Sequence, residues 1–277
     1  MKDLKGRRAL VTGAASGMGR TTSLELAREG VDLILVDIRG EPLGQVAREA
    51  EACGVDVHTF SLDLADWDQV KRAADTIHSR WGAVDVLVNC AGVLYMSHIM
   101  DTTVEDWQRL LGVNLWSIIH TVKAFAPEMM RRKSGHIVNI SSGQAYFAVP
   151  MSGAYASTKY AVDGYSEALH YELHWHGIGV TTVYPGIVRT HLYDRVSGSL
   201  LIRLAMKVIL ATAAKPEKLG RMIVDGIKKN RRIVNQSLAT WTGYLLKHIM
   251  PWPFEAVGLG ASWLLRREEG ESDLDGR

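Results

Sequence analysis

A chain of 277 residues with 47% hydrophobic and 22% charged side chains holds enough apolar surface for one large core, which excludes a disordered protein. Its net charge of +2, with basic residues scattered apart from short groups such as Arg131, Arg132 and Lys133, excludes a nucleic-acid binder that works by charge. Two cysteines, Cys53 and Cys90, support neither a disulfide framework nor a zinc site and point to a reducing, cytoplasmic setting.

The opening "MKDLKGRRALVTG" runs into a strand at once and reads as lacking a signal peptide. "RALVTG" is the first of seven β-branched strand candidates. The others are "VDLILVDI", "VDVHTFSLD", "VDVLVNCAG", "HIVNISS", "VTTVYPG" and "RRIVNQ". Helical spacing fills the gaps between them, as with Leu24, Leu26 and Ala27, then Val70, Ala73, Ala74 and Ile77. "DTTVEDWQRLL" opens a further helix, where Thr102 with Glu105 reads as a capping box. Strand–helix alternation needs crossovers, and crossovers give a parallel sheet covered on both faces. The unbroken apolar character of "DLILVDI" and "VDVLVN" suits strands buried on both sides. The expectation is one doubly wound α/β domain over residues 1–236.

"VTGAASGMGR" lies between the first strand and the first helix, with Gly13, Gly17 and Gly19 in a G-x-x-x-G-x-G pattern. Glycine permits the tight turn there and lets a pyrophosphate approach the backbone at a helix N-terminus. No Gly-Lys-Ser/Thr follows, so it is not a Walker-type loop. Asp37 ends the second strand, where a carboxylate accepts hydrogen bonds from an adenosine ribose and repels a 2′-phosphate. This favours NAD, while Arg39 nearby blunts the argument and keeps NADP open.

"SGAYASTKYAV" places Tyr155 and Lys159 four apart, on one helix face. A free tyrosine titrates near pH ~10, and a neighbouring ammonium favours its phenolate. Such a pair suits proton transfer near neutral pH. Downstream, "ALHYELHWHG" contains His170, His174 and His176, which read as surface or interface residues without a metal. From Ser237 the alternation stops. The tail 237–277 carries three of the eight tryptophans and an acidic end, with Leu264, Leu265, Arg266 and Arg267 before it. It reads either as docked on the protein or as a peripheral membrane anchor. No stretch of 18 uncharged apolar residues offers a membrane span; the nearest, from Gly198, is broken by Arg203 and Lys207.

Taken in order, "TGAASGMG", "NCAG", Asn114 in "VNLWS", Ser142 in "NISS", "YASTK" and "YPGIVRT" resemble the short-chain dehydrogenase/reductase family over residues 6–236. Cys90 departs from it, standing where a second asparagine is more usual, and is expected to pack in the core. The resemblance implies a Rossmann-type fold with a seven-stranded parallel sheet, and hydride exchange between a nicotinamide cofactor and an alcohol or carbonyl. It further implies a catalytic set of Asn114, Ser142, Tyr155 and Lys159. Tyr155 is the acid/base, Lys159 also holds the nicotinamide ribose, Ser142 holds the substrate oxygen, and Asn114 keeps a relay water. Cofactor contacts implied by position are Gly13, Ser16, Gly17, Met18, Gly19, Asp37, Asp63, Leu64, Asn89, Ala91, Gly92, Tyr155, Lys159, Pro185, Gly186, Ile187 and Thr190. A homodimer or homotetramer is implied as well.

Around the substrate the sequence places Leu94, Tyr95, Met96, Gln144, Tyr146, Phe147 and Met151. A Leu-, Ile- and Met-rich lid is expected over residues 191–214, including Tyr193. This lining favours a small hydrophobic alcohol or ketone, lipid-like, cyclic or steroid-like. Two other readings stay open at this point: an isomerase or dehydratase that uses bound NAD transiently, and a non-catalytic NAD-binding interaction protein.

Overall fold

Successive side chains of the first strand point to opposite faces, and both faces are apolar. In β1 (Arg8–Thr12), Ala9 and Val11 belong to one buried cluster and Leu10 to another. The same alternation runs through β2 (Asp32–Asp37), where Leu33 and Leu35 face one way and Ile34 and Val36 the other. A sheet of this kind has to be covered twice. In the computed structural model it is. The structure describes residues 3–188 and 213–236, with scattered helical residues between 242 and 260.

Five further strands complete the sheet: β3 (Val57–Ser61), β4 (Val86–Asn89), β5 (Gly135–Ile140), β6 (Ile178–Tyr184) and β7 (Ile233–Asn235). All pairings are parallel and the order is β3-β2-β1-β4-β5-β6-β7. Helices α1 (Gly17–Arg28), α2 (Gly40–Glu51) and α7 (Pro216–Lys228) cover one face, joined through Leu24, Leu43, Val46, Leu219, Ile223 and Ile227. Helices α3 (Trp67–Trp81), α5 (Ser117–Arg132) and α6 (Gly153–His174) cover the other, through Ile77, Ile118, Val122, Phe125, Val162, Leu169 and Leu173. Each such side chain, removed from water, contributes roughly 1.5–3 kcal/mol.

The order reverses between β1 and β4, and ligands of open α/β sheets bind in the crevice beyond the carboxyl ends at that switch point. Four segments converge there: the glycine loop after β1, residues 90–94 after β4, residues 141–147 after β5, and residues 185–188 after β6.

One local expectation is corrected. The capping box of α4 (Val104–Leu111) lies one residue later, with the Thr103 side chain accepting from Asp106 N–H and Asp106 reaching back to Thr103. Thr102 instead donates its hydroxyl to the His98 carbonyl, so it is already committed to the preceding turn. Between α4 and α5 the helix is not regular, because residues Gly112–Trp116 form a π-helical turn containing Asn114. The expected lid falls outside the described residues except at 213–214. In the tail the described residues Leu245, Ile249, Trp252 and Leu259 are exposed. Among the described residues no helix is long and apolar enough to cross a membrane.

Candidate active site

Thr12 closes the phosphate end of the crevice. Its Oγ1 accepts from the N–H groups of Cys90 (2.9 Å) and Ala91 (3.1 Å), stitching the β4 exit onto the β1 exit. The chains approach so closely that a Cβ on Gly13, whose φ is +63°, would lie 2.8 Å from the Ala91 Cα. At Gly19 a Cβ would come within 2.1 Å of the Gly13 carbonyl oxygen. Only glycine fits either place. Helix α1 begins at Gly17 with no side chain capping it, which leaves its first N–H groups for an anion.

Asp37 is buried at the end of β2, where Oδ2 accepts from Ala15 N–H at 3.0 Å. Oδ1 accepts from Arg39 N–H (3.0 Å) and from Arg39 Nε (3.2 Å). The same guanidinium reaches across the loop and donates to Ser16 Oγ at 2.8 Å. Thus Ser16 and Asp37, both expected among the cofactor contacts, are joined by one arginine. Asp63 and Leu64 follow β3, where Asp63 Oδ1 accepts from Ala65 N–H (2.9 Å) and the Leu64 carbonyl faces His120 Nδ1 (3.0 Å). The Asn89 side chain is spent inside the protein, accepting from Thr121 Oγ1 (2.7 Å) and donating to Asn139 (2.9 Å). Only its backbone is left for a ligand.

At the other end, Met18, Gly92, Leu94, Ser142, Gln144, Tyr155, Lys159, Pro185 and Gly186 line one cleft. Cys90, Val93, Ile140, Ser141 and Val188 line it too, and sequence reasoning did not single these out for that role. Cys90 does pack on the core as expected, and burial pushes its thiol up to about 12. Thr190 and Tyr193 lie outside the described residues.

Helix α6 carries Tyr155 and Lys159 on one stripe, and both are buried. Lys159 Nζ stands 5.7 Å from the Tyr155 ring centroid and donates to the Ile140 carbonyl at 3.0 Å. Burial lowers its pKa to about 8. The two adjacent serines are told apart by their partners. Ser141 donates its hydroxyl to the Lys159 carbonyl at 3.0 Å and so fastens β5 to α6. Ser142 Oγ accepts from Gln144 N–H at 3.1 Å, leaving its own hydrogen to donate into the cleft.

Asn114 is fully buried behind that cleft. Its Oδ1 accepts from Val93 N–H (2.8 Å), while Nδ2 donates to the Val93 carbonyl (3.0 Å) and to Thr158 Oγ1 (3.1 Å). The side chain therefore ties the 93–97 segment to α6, and a π turn at this place is a common mark of a functional site. That segment is tied again by Ser97 N–H, which donates to the carbonyl of Met151 (2.8 Å), a residue with φ of +64°. Not all of the expected substrate lining faces inward. Tyr146 instead stacks on Tyr184 at 4.4 Å between centroids, with Phe147 packed beside them.

Among the described residues no three His, Cys, Asp or Glu side chains gather in a way that could hold a metal ion. The donors and glycines fit a dinucleotide instead: a bare helix terminus, a loop with no room for Cβ atoms, and a buried carboxylate at the ribose end.

Known proteins agree with this geometry. The profile of the short chain dehydrogenase family matches residues 7–199. The 3-oxoacyl-[acyl-carrier-protein] reductase FabG of Thermotoga maritima is 32% identical over 221 residues, covering 80% of this chain and 90% of that protein. Estradiol 17-beta-dehydrogenase 11 of Macaca fascicularis is 31% identical over 261 residues, covering 92% of this chain and 83% of that protein. A short chain dehydrogenase/reductase of Burkholderia phymatum, crystallised in complex with NAD, superposes with a TM-score of 0.83 at 26% identity, over 90% of this chain and 95% of that one. The chain belongs to the short-chain dehydrogenase family of oxidoreductases, with a Rossmann-type parallel sheet and a dinucleotide crevice at its switch point.

Proposed function

We propose that the protein interconverts a hydrophobic secondary alcohol and its ketone with NAD as cofactor. The observation that carries this reading is the single cleft in which Ser142, Tyr155 and Lys159 converge between apolar walls formed by Met18, Val93, Leu94, Ile140 and Val188.

Gly13 to Gly19 and the start of α1 would hold the pyrophosphate, Asp37 the adenosine ribose, Lys159 the nicotinamide ribose, and residues 186–188 the nicotinamide end. When bound, the cofactor supplies the acceptor or donor for the hydride of the reacting carbon. The chain's own residues handle the proton. Ser142 donates a hydrogen bond to the substrate oxygen and fixes its place. Tyr155 takes the proton from that oxygen in oxidation and returns it in reduction. Lys159, charged below about pH 8, favours the phenolate by its nearness. Its Ile140 carbonyl partner orients the ammonium without cancelling its charge.

Asp37 supports NAD over NADP, since a carboxylate at the end of the second strand would repel a 2′-phosphate on the ribose. Arg39 offsets part of that repulsion, so NADP should still bind, about tenfold or more weakly. Fluorescence titration with both reduced cofactors measures the ratio. Equal or tighter NADP binding would reverse the assignment. A homo-oligomer is supported by the aromatic side chains that α6 and its C-terminus leave exposed, Tyr160, Tyr171 and Trp175.

The test of the reaction is a panel assay. Full-length protein is incubated with NAD and cyclic or long-chain secondary alcohols, and in parallel with sugars and charged hydroxy acids, following reduced-nicotinamide absorbance. Turnover concentrated in the first group is expected, and best turnover in the second would refute the hydrophobic substrate.

A further inference from the structure

Asp163 lies four residues beyond Lys159 and eight beyond Tyr155, on the same stripe of α6 but one turn deeper than the cleft. Tyr184, the last residue of β6, is buried and donates its phenolic hydrogen to Asp163 Oδ1. Its ring stacks on Tyr146 with planes 21° apart, and Tyr146 donates in turn to Asn235 Oδ1 at 3.2 Å.

The backbone on either side of Tyr184 carries both walls of the cleft. Ser141 N–H donates to the Val183 carbonyl (2.9 Å), and Gly143 N–H donates to the Pro185 carbonyl (2.8 Å). Ser142 is therefore held between two bonds to the residues flanking Tyr184. On the far side, Gln236 Oε1 accepts from Gly186 N–H (2.7 Å) while Gln236 N–H donates to the Tyr184 carbonyl (3.3 Å).

We propose that the Asp163–Tyr184 hydrogen bond is a positioning contact that sets the Ser142 wall and the 185–188 wall at a fixed distance from Tyr155 and Lys159. Neither residue touches the reacting atoms. Their influence runs through the end of β6 and the Tyr146 stack. A buried phenol bonded to a half-buried carboxylate gains little over a well-packed Phe and Leu, so the pair contributes direction rather than bulk stability. A hydrogen bond has a preferred line, whereas an apolar contact lets the strand end slide. This inference rests on the oxidoreductase reading for its functional consequence, but its structural part can be read without turnover.

Hydrogen–deuterium exchange on the full chain, compared among the parent, Tyr184→Phe, Asp163→Ala and Asp163→Asn, tests it. In Tyr184→Phe and Asp163→Ala, amides of 143–147 and 186–188 should exchange about tenfold faster, the factor for losing one hydrogen bond to a charged group. Asp163→Asn keeps an accepting oxygen and should stay near the parent. In the panel assay the first two should lower kcat about tenfold while the NADH dissociation constant stays within about twofold. Unchanged exchange in the two segments, faster exchange throughout the sheet, or an Asp163→Asn variant indistinguishable from Asp163→Ala would overturn the proposal. A parent that turns over no alcohol, with the exchange pattern as expected, would retain the positioning contact and remove the reaction assigned above. A parent that does turn over, with variants matching its kcat, would do the opposite.

Discussion

His136 shows how burial dominates the behaviour of a single residue. It sits on β5, where its Nε2 lies 2.8 Å from Thr181 Oγ1. Thr181 spends its own hydrogen on the Arg231 carbonyl (2.5 Å), so the imidazole must be the donor and carries its hydrogen on Nε2. Burial lowers its pKa to about 3, against an ordinary value of 6.5. Below the ordinary value the unfolded chain binds a proton that the folded chain refuses, so stability falls as pH falls through that window. Between about pH 7 and pH 5 this single group should remove about 2 kcal/mol. Denaturant titrations at both pH values should show it, and His136→Gln should be less stable at neutral pH but flatter by about that amount. An identical slope in the variant would place the acid sensitivity elsewhere. Cys90 follows the same logic, since a thiol raised to about 12 is a poor nucleophile, while Cys53 is exposed. A thiol reagent at neutral pH should label Cys53 and spare Cys90. Faster labelling of Cys90 would mean that the cleft is more open to water than its packing suggests.

At the scale of elements, the glycine loop is the place where shape rather than chemistry decides. Gly19→Ala would push a methyl into the Gly13 carbonyl and should cost about 1–3 kcal/mol of stability, with weaker dinucleotide binding. Thermal unfolding with and without NADH measures both, and an alanine variant stabilised by NADH as strongly as the parent would contradict the close fit. All seven strands were legible in sequence because each is a short β-branched run between turn residues, and buried parallel strands leave that mark. The pairing of Tyr155 with Lys159 was legible too, because helical spacing alone puts them together. The π turn at Asn114 was not, since a one-residue register change leaves the apolar periodicity almost intact. Nor was the choice of Thr103 over Thr102 as cap, because both have an acidic residue three positions on. The hydrogen bonds that join Arg39 to Ser16, Gln236 to Gly186, and Tyr184 to Asp163 link residues distant in sequence, and only the closed fold brings them within reach.

For the whole molecule, the sheet order explains why so few residues suffice. Reversal between β1 and β4 opens one crevice, and the parallel direction sends every relevant strand end into it. Ser142 arrives from β5, Cys90 to Leu94 from β4, Gly186 from β6, and the α6 stripe closes the side. The structure shows how these segments are held: Ser141 on the Lys159 carbonyl, Asn114 on Val93, Lys159 on the Ile140 carbonyl. The proposed reaction rests on one phenolic oxygen beside one buried ammonium. Tyr155→Phe removes that oxygen alone and keeps the ring in its pocket. The most direct measurement is steady-state turnover of this variant on the best alcohol of the panel, alongside its NADH dissociation constant. The account predicts a rate lowered by about 10²–10⁴-fold with cofactor affinity little changed. Turnover equal to that of the parent, with NADH still bound, would contradict it.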